Sequence, residues 1–425
     1  MTFVILLQDI GHLQPISGIN GYAFEFNTNT LSFGMQPNRY RIASVDILRG
    51  IIMIIMALDH TREFFHITAI TADPLDPATT TIPLYFTRWI THYCAPVFVL
   101  LSGLSAYLSS RNKTRSEASV FLIKRGIWLV FVEIVVVTFG ITFNPFYNFI
   151  ILQVIWAIGC SMILLGLLSA FSYKAVLVAG VAIVGGHNIL DYATLPDGGV
   201  AGNLWTILFT SPGSVIPLSS THFIGAFYTI LPWTGVMCLG FSMGKWFQNG
   251  FDAARRRRLL IITGISLTGL FIILRLINGY GDPRSWSAAE NGWLSFLNTT
   301  KYPPSLQFIA MTIGPAILLL ALLENVKRQW VHSLSAYGRV PFFYYILHFY
   351  MLHILLVIAF FVSGHTTAEI IDVQGSPFWF RPSNFGYGLP VVYLVWIAVV
   401  VALYLPCRWF SNYKMAHRQW WLSYI

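Results

Sequence analysis

Residues 44–66 read SVDILRGIIMIIMALDHTREFFH. Its centre, GIIMIIMAL at 50–58, carries no charge, while Asp46 and Arg49 stand before it and Asp59, His60, Arg62, Glu63 and His66 after it. A lipid-crossing helix needs ~20 mainly apolar residues, and this stretch fits one with both ends marked by ionisable groups. Asp46 and Asp59 are separated by ~20 Å at 1.5 Å per residue. One cluster therefore sits at each end of the same helix.

The rest of the chain follows the same pattern. Of 425 residues, 56% are hydrophobic and 10% charged, against about 25% charged in an ordinary soluble domain. The mean hydropathy is +0.65. Such a chain cannot cover a water-facing surface with polar groups, so lipid is its expected solvent. The aromatic content of 16% fits the Trp and Tyr belts of membrane interfaces. The net charge of +9 does not point to nucleic acid, because the basic residues lie in short loops between apolar runs. Cys94, Cys160, Cys238 and Cys407 are far apart and mostly inside apolar segments; they read as small packing residues. No Walker, Rossmann, zincin or nucleophile-elbow motif is present.

Ten windows qualify as helical spans, near 45–65, 84–108, 122–143, 149–169, 174–190, 224–245, 258–278, 305–324, 341–362 and 388–408. With the N-terminus inside, nineteen Lys and Arg fall in inner segments and five in outer ones, a strong positive-inside bias. The expectation is an all-α polytopic bundle with both termini cytoplasmic. Residues 191–223, rich in Gly, Pro, Ser and Thr, read as an interfacial or re-entrant piece. Residues 1–38 read as an extension, either disordered or the product of a start upstream of Met35. Residues 39–415 form the membrane domain and 416–425 a cytoplasmic tail.

Ionisable groups in or beside spans are functional candidates. Asp46 and Arg49 share a helix face and read first as a structural pair, with Ser44 or Asp46 capping the helix start. At the outer end, His60 and Glu63 are three residues apart, and Arg62 and His66 four. A histidine beside a carboxylate is the equipment of general-base catalysis. The chain then turns through Pro74, Pro77 and Pro83. It re-enters with Arg88 and His92 four apart, so that His60 and His92 are expected to meet in one cavity. Lys301, Tyr302 and His348 are weaker candidates, the first readable as a snorkelling lysine and the last as a core histidine. Glu133, in mid-span, needs a partner, for which Arg275 is a candidate. The run Arg255–Arg258 reads as a topology anchor that attracts anionic lipid.

The stretches at 44–66, 73–109 (DPLDPATTTIPLYFTRWITHYCAPVFVLLSGLSAYLS), 231–245 (LPWTGVMCLGFSMGK), 298–324 (NTTKYPPSLQFIAMTIGPAILLLALLE) and 338–353 (GRVPFFYYILHFYMLH) resemble bacterial members of the heparan-alpha-glucosaminide N-acetyltransferase catalytic domain family. The resemblance covers about residues 39–415. It implies an integral membrane acyltransferase of the bacterial inner membrane, which takes acetyl from acetyl-CoA and passes it to an amine or hydroxyl of a sugar or glycan. It also implies that His60 or His66 is the base. A lysosomal member has asparagine at the position of His60 and uses a histidine shortly after it, while many bacterial members share the Asp-His pair, which favours His60 oriented by Asp59. His92, Lys301 and Tyr302 are then the candidate oxyanion donors. Arg49, Arg62, Arg88 and His348 complete the candidate binding groups, and Arg125, Lys245 and Arg255–Arg258 could receive the CoA nucleotide. No metal is expected. The expected partners are acetyl-CoA, a carbohydrate acceptor, the bilayer and a second copy of the chain. The alternative is a transporter of a small solute or lipid-linked sugar, which would show two halves with matched broken helices; no internal repeat is evident.

Overall fold

A computed structural model describes residues 42–424 apart from 194–198, 211–212, 289–291, 327, 372–376 and 418. The expected extension at 1–38 lies outside the described residues, as do Arg39, Arg41, Lys327 and Arg418 of the charge count. Fifteen α-helices appear among them. The first hairpin is α1 (Ala43–Phe65), α2 (Ile82–Thr91) and α3 (Cys94–Ser110). There follow α4 (Arg115–Val132), α5 (Thr138–Thr142), α6 (Val154–Phe171), α7 (Tyr173–Gly186) and α8 (Gly199–Trp205). The second half holds α9 (Ile230–Met243), α10 (Ala253–Ile277), α11 (Trp293–Leu297), α12 (Leu306–Leu323), α13 (Gln329–Gly338), α14 (Pro341–Val362) and α15 (Leu389–Ala416).

Seven helical segments are long and apolar enough to cross a membrane: 82–110, 154–171, 173–192, 253–277, 306–323, 341–362 and 389–416. The other three expected spans are helical but fall short on that measure. α1 carries Asp46, Arg49, Asp59, Arg62 and Glu63; α4 carries Arg115, Glu117, Lys124 and Arg125; α9 has 14 residues. The fifth segment does not stop at the Gly-Gly-His-Asn sequence, because a 3₁₀ turn at His187–Tyr192 extends α7.

The all-α expectation needs one correction. Strands β1 (Phe149–Leu152), β2 (Ser214–Pro217) and β3 (Phe223–Ala226) form a small sheet in the order β1-β3-β2, with β1 parallel and β2 antiparallel to β3. β1 and β3 occupy the ends of two windows read as helix. Their β-branched and aromatic residues suit a pleated surface, and strand pairing satisfies backbone groups that a helix end leaves open.

Small residues set the helix spacing, as in other membrane bundles. A Cβ on Gly338 would lie 1.8 Å from the Asp46 carbonyl oxygen, and one on Gly50 2.0 Å from that of Leu334, so α1 and α13 touch backbone to backbone. Gly103 and Gly240 do the same for α3 and α9. α12 is the most enclosed of the seven apolar segments, while α10 and α15 lie at the periphery. α1 starts at Ile42 without the side-chain cap expected from Ser44 or Asp46. In the tail, Leu422 is buried and Trp421 stacks towards Phe410 and Tyr413, so these residues pack back onto α15.

The second segment breaks between α2 and α3, at His92 and Tyr93. Pro96 has no N–H to give the His92 carbonyl, the bond a continuous helix would make there. The break leaves His92 between two helix ends, inside the protein.

Candidate active site

Successive helix residues point about 100° apart, so Asp59 and His60 face different neighbours. Asp59 is 6% exposed. Arg88 Nη1 donates to both of its carboxylate oxygens, at 2.7 and 2.6 Å, and Arg62 Nη2 donates to Oδ1 at 3.2 Å. Lys301 and His60 also interact electrostatically with it. A buried carboxylate persists only when paired in this way. Asp59 therefore locks α1 to α2.

His60 turns towards α14. Its ring packs 4.4 Å from Phe349 and 5.2 Å from His348, centroid to centroid. Nδ1 lies 3.0 Å from Glu63 Oε2. An ionised carboxylate only accepts, so Nδ1 carries a proton, and in the neutral ring Nε2 is the nitrogen with the lone pair. The side chain of His60 is 11% exposed and that of Glu63 40%, which leaves the pair reachable from the end of the bundle. The carboxylate hydrogen-bonded to His60 is thus Glu63. Asp59, expected in that role, is committed to two arginines.

His66 closes α1. Its carbonyl accepts from Arg381 Nη2 at 2.6 Å, while Tyr387 N–H donates to Phe65 and Ile67 N–H to Tyr387. Gly386 makes this crossing possible: it sits at φ 149°, and a Cβ there would lie 2.7 Å from Ile67 Cα. Nδ1 of His66 accepts the Thr68 backbone N–H at 3.3 Å and lies 3.0 Å from its hydroxyl. The neutral ring then carries its proton on Nε2 and offers no lone pair. Burial, with Arg62 and Arg381 nearby, holds its pKa below the ordinary 6.5.

That shift sets a pH dependence. The unfolded state binds the proton more readily, so the contribution of His66 to stability is complete above about pH 6.5 and is lost as pH falls through the folded value. Thermal midpoints measured from pH 7.5 down to 5 are expected to fall less steeply in His66→Gln than in the parent; parallel curves would remove this assignment.

His92 is 1% exposed, its ring 5.3 Å from Phe308 on α12, and its Nδ1 has no hydrogen-bond partner among the described residues. His60 faces α14 and His92 faces α12, so the expected meeting of the two rings is not what the fold builds. Both still flank Asp59, whose charge acts on each. Lys301 is buried rather than snorkelling, 9% exposed, 5.1 Å above the Tyr302 ring and within electrostatic reach of Asp59 and His92. Tyr302 packs 5.5 Å from Tyr228 and interacts with Arg88. Asp282 fixes this loop by accepting from Thr300 N–H at 2.8 Å, Thr300 Oγ1 at 2.9 Å and Ser305 Oγ at 2.6 Å.

Arg49 is not part of this group. At the other end of α1 it donates to Asp46, the Gly338 carbonyl and Ser105, which ties α1 to α3 and α13. Glu133 and Arg275 do not pair either. Arg275 donates to the carbonyls of Phe296, Arg284, Ser295 and Asn298, which joins Arg284 to the end of α11. Arg381 carries no signal in the sequence beyond being an arginine between two apolar runs.

The Asp46 end carries two clefts. One, of about 340 Å³, is lined by His332, Arg339, Tyr404, Arg408 and Ser411 among others; the other, of about 460 Å³, by Arg256, Arg257, Arg258 and Glu324 among others. Arg256 is paired with Glu324 at 2.5 Å. Among the described residues, no group of three or more His, Cys, Asp or Glu is placed to hold a metal.

The family model for the heparan-alpha-glucosaminide N-acetyltransferase catalytic domain matches residues 41–274, just over half of the chain. The chain belongs to this family. Membership makes it a transferase, and its seven apolar helical segments make it an integral membrane protein. The match contains Asp59, His60, Glu63, His66, Arg88, His92 and Glu133, whereas Lys301, Tyr302 and His348 lie beyond it. No curated protein matches the chain.

Proposed function

We propose that this family member transfers an acetyl group from acetyl-CoA to an amine or hydroxyl of a sugar or glycan on the outer side of a bacterial inner membrane. The observation that carries the proposal is the Glu63–His60 pair, with Nε2 left as a base at the reachable end of the first hairpin. In this reading His60 Nε2 takes the proton of the acceptor as its nitrogen or oxygen attacks the thioester carbonyl. The tetrahedral intermediate collapses and expels the CoA thiolate, and the imidazolium returns its proton. Glu63 stabilises the imidazolium that forms. Lys301 and Tyr302, buried beside Asp59, are the groups available for the oxyanion, with Arg62, Arg88 and His92 around them. His66, its Nδ1 already occupied, serves the crossing of Phe65–Ile67 with Tyr387, where Arg381 holds its carbonyl. His348 lines the His60 side.

The same reading takes the chain as ten spans over residues 39–415 with both termini cytoplasmic, supported by the positive-inside count. The Asp46 end then faces the cytoplasm, and Arg339 and Arg408 join Arg125, Lys245 and Arg255–Arg258 as basic groups available to the CoA phosphates. The thioester would reach His60 through the bundle. A homodimer is the assembly to test.

Purified full-length protein, labelled acetyl-CoA and a panel of amino sugars and neutral glycans provide the test. Label is expected on an acceptor, with CoA released in equal amount. If no acceptor gains label, no thioester is hydrolysed and CoA does not bind, the reading fails and the transporter alternative takes its place.

A further inference from the structure

The mechanism above leaves one buried acid unused. Glu133 is 0% exposed and begins a π-turn, Glu133–Val137, that interrupts the helix between α4 and α5. Such turns often mark functional sites. The backbone N–H groups of Gln153 and Trp156 face its carboxyl group, Gln153 donating to Oε1 at 2.9 Å, while Oε2 meets no hydrogen-bond geometry among the described residues.

On α14 four polar atoms share this condition among the described residues, and two of them, Tyr345 Oη and His348 Nε2, belong to residues beside His60. The Tyr345 hydroxyl is buried without a partner among the described residues, and Glu133 and Glu63 are its electrostatic neighbours. His348 is 0% exposed; its Nδ1 lies 3.3 Å from the Tyr344 carbonyl and so carries the proton, and its Nε2 has no partner. Both residues stand against His60, at 6.5 and 5.2 Å between ring centroids. Tyr350 Oη donates to the Val136 carbonyl at 2.9 Å and pins α14 to the π-turn itself. Buried polar groups without partners are costly, so three on facing elements beside one imidazole call for a common reason.

We infer that Glu133, Tyr345 and His348 form the acceptor-binding wall of the site and hold hydroxyl groups of a sugar ring while His60 acts on the reacting one. His348 Nε2 is an acceptor, the Tyr345 hydroxyl can donate or accept, and Glu133, buried with no cation beside it among the described residues, stays protonated and presents an O–H on Oε2. That set matches hydroxyl groups, each of which both donates and accepts. This inference rests on the acetyltransferase reading and adds where the acceptor is gripped.

The test compares full-length parent, Glu133→Gln and Tyr345→Phe in detergent, with the acceptor KM and the acetyl-CoA KM measured separately. Glutamine keeps a carbonyl for the Gln153 N–H, and phenylalanine keeps the ring, so neither empties the core. Each variant is expected to raise the acceptor KM about ten- to hundredfold, the effect of unpairing one buried hydrogen bond, with the acetyl-CoA KM unchanged. A deoxy acceptor lacking the hydroxyl held by Glu133 is expected to lose as much with the parent, and no more with Glu133→Gln. An unchanged acceptor KM in both variants, equal rises in both KM values, or additive losses with every deoxy acceptor would overturn the inference while leaving the transfer reading intact. Absence of transfer by the parent would remove both.

Discussion

Replacing His60 by alanine is expected to lower acetyl transfer by about 10²- to 10⁴-fold, the usual contribution of a positioned general base. The expectation follows from two geometries at the end of α1. Nδ1 of His60 is held by Glu63 and Nε2 is left as a lone pair, whereas Nδ1 of His66 is taken by the Thr68 amide and hydroxyl. His66→Ala should therefore retain most of the rate that His60→Ala loses. The measurement is single-turnover transfer from labelled acetyl-CoA, with CoA binding as the control for folding. Full activity in His60→Ala would move the base elsewhere, and loss confined to His66→Ala would assign it to the loop histidine. Because His60 also packs on Phe349, His60→Gln is the companion variant that fills the same space without a base.

The second large effect concerns stability. Asp59→Ala would leave Arg88 and Arg62 buried, with their shared carboxylate gone. Breaking a buried ion pair from one side costs about 3–5 kcal/mol, enough to lower the thermal midpoint in detergent by many degrees. Arg88→Ala should have a similar cost, and the double variant should cost less than the sum of the two. Additive losses would show that Asp59 and Arg88 act independently and would sink the locking role assigned to the pair.

The architecture was legible in the sequence wherever composition decides structure. Long apolar runs became helices, and the charged clusters at the two ends of α1 are where the spacing puts them. The missed strands at 149–152 and 223–226 sit at the mouths of apolar windows, where a short run of Phe, Ile and Leu reads equally as helix or strand. The site was legible in its ingredients and less so in its wiring. Spacing of three placed Glu63 under His60, but the same rule could not say that Asp59 would be drawn to Arg88, a partner 29 residues away. Glu133 gave a signal as a lone acid in mid-span, yet its true neighbour, Tyr345, belongs to a helix more than 200 residues on. Only packing discloses such pairs.

The Asp59–Arg88 contact also has a consequence for how the protein is made. A helix bearing Asp59, Arg62 and Glu63 is costly to deliver to lipid by itself, and so is the next segment with its lone Arg88. Joined, they present lipid with far less net charge. The first hairpin is therefore expected to settle in lipid as a unit, α1 reaching its final place only once α2 supplies Arg88.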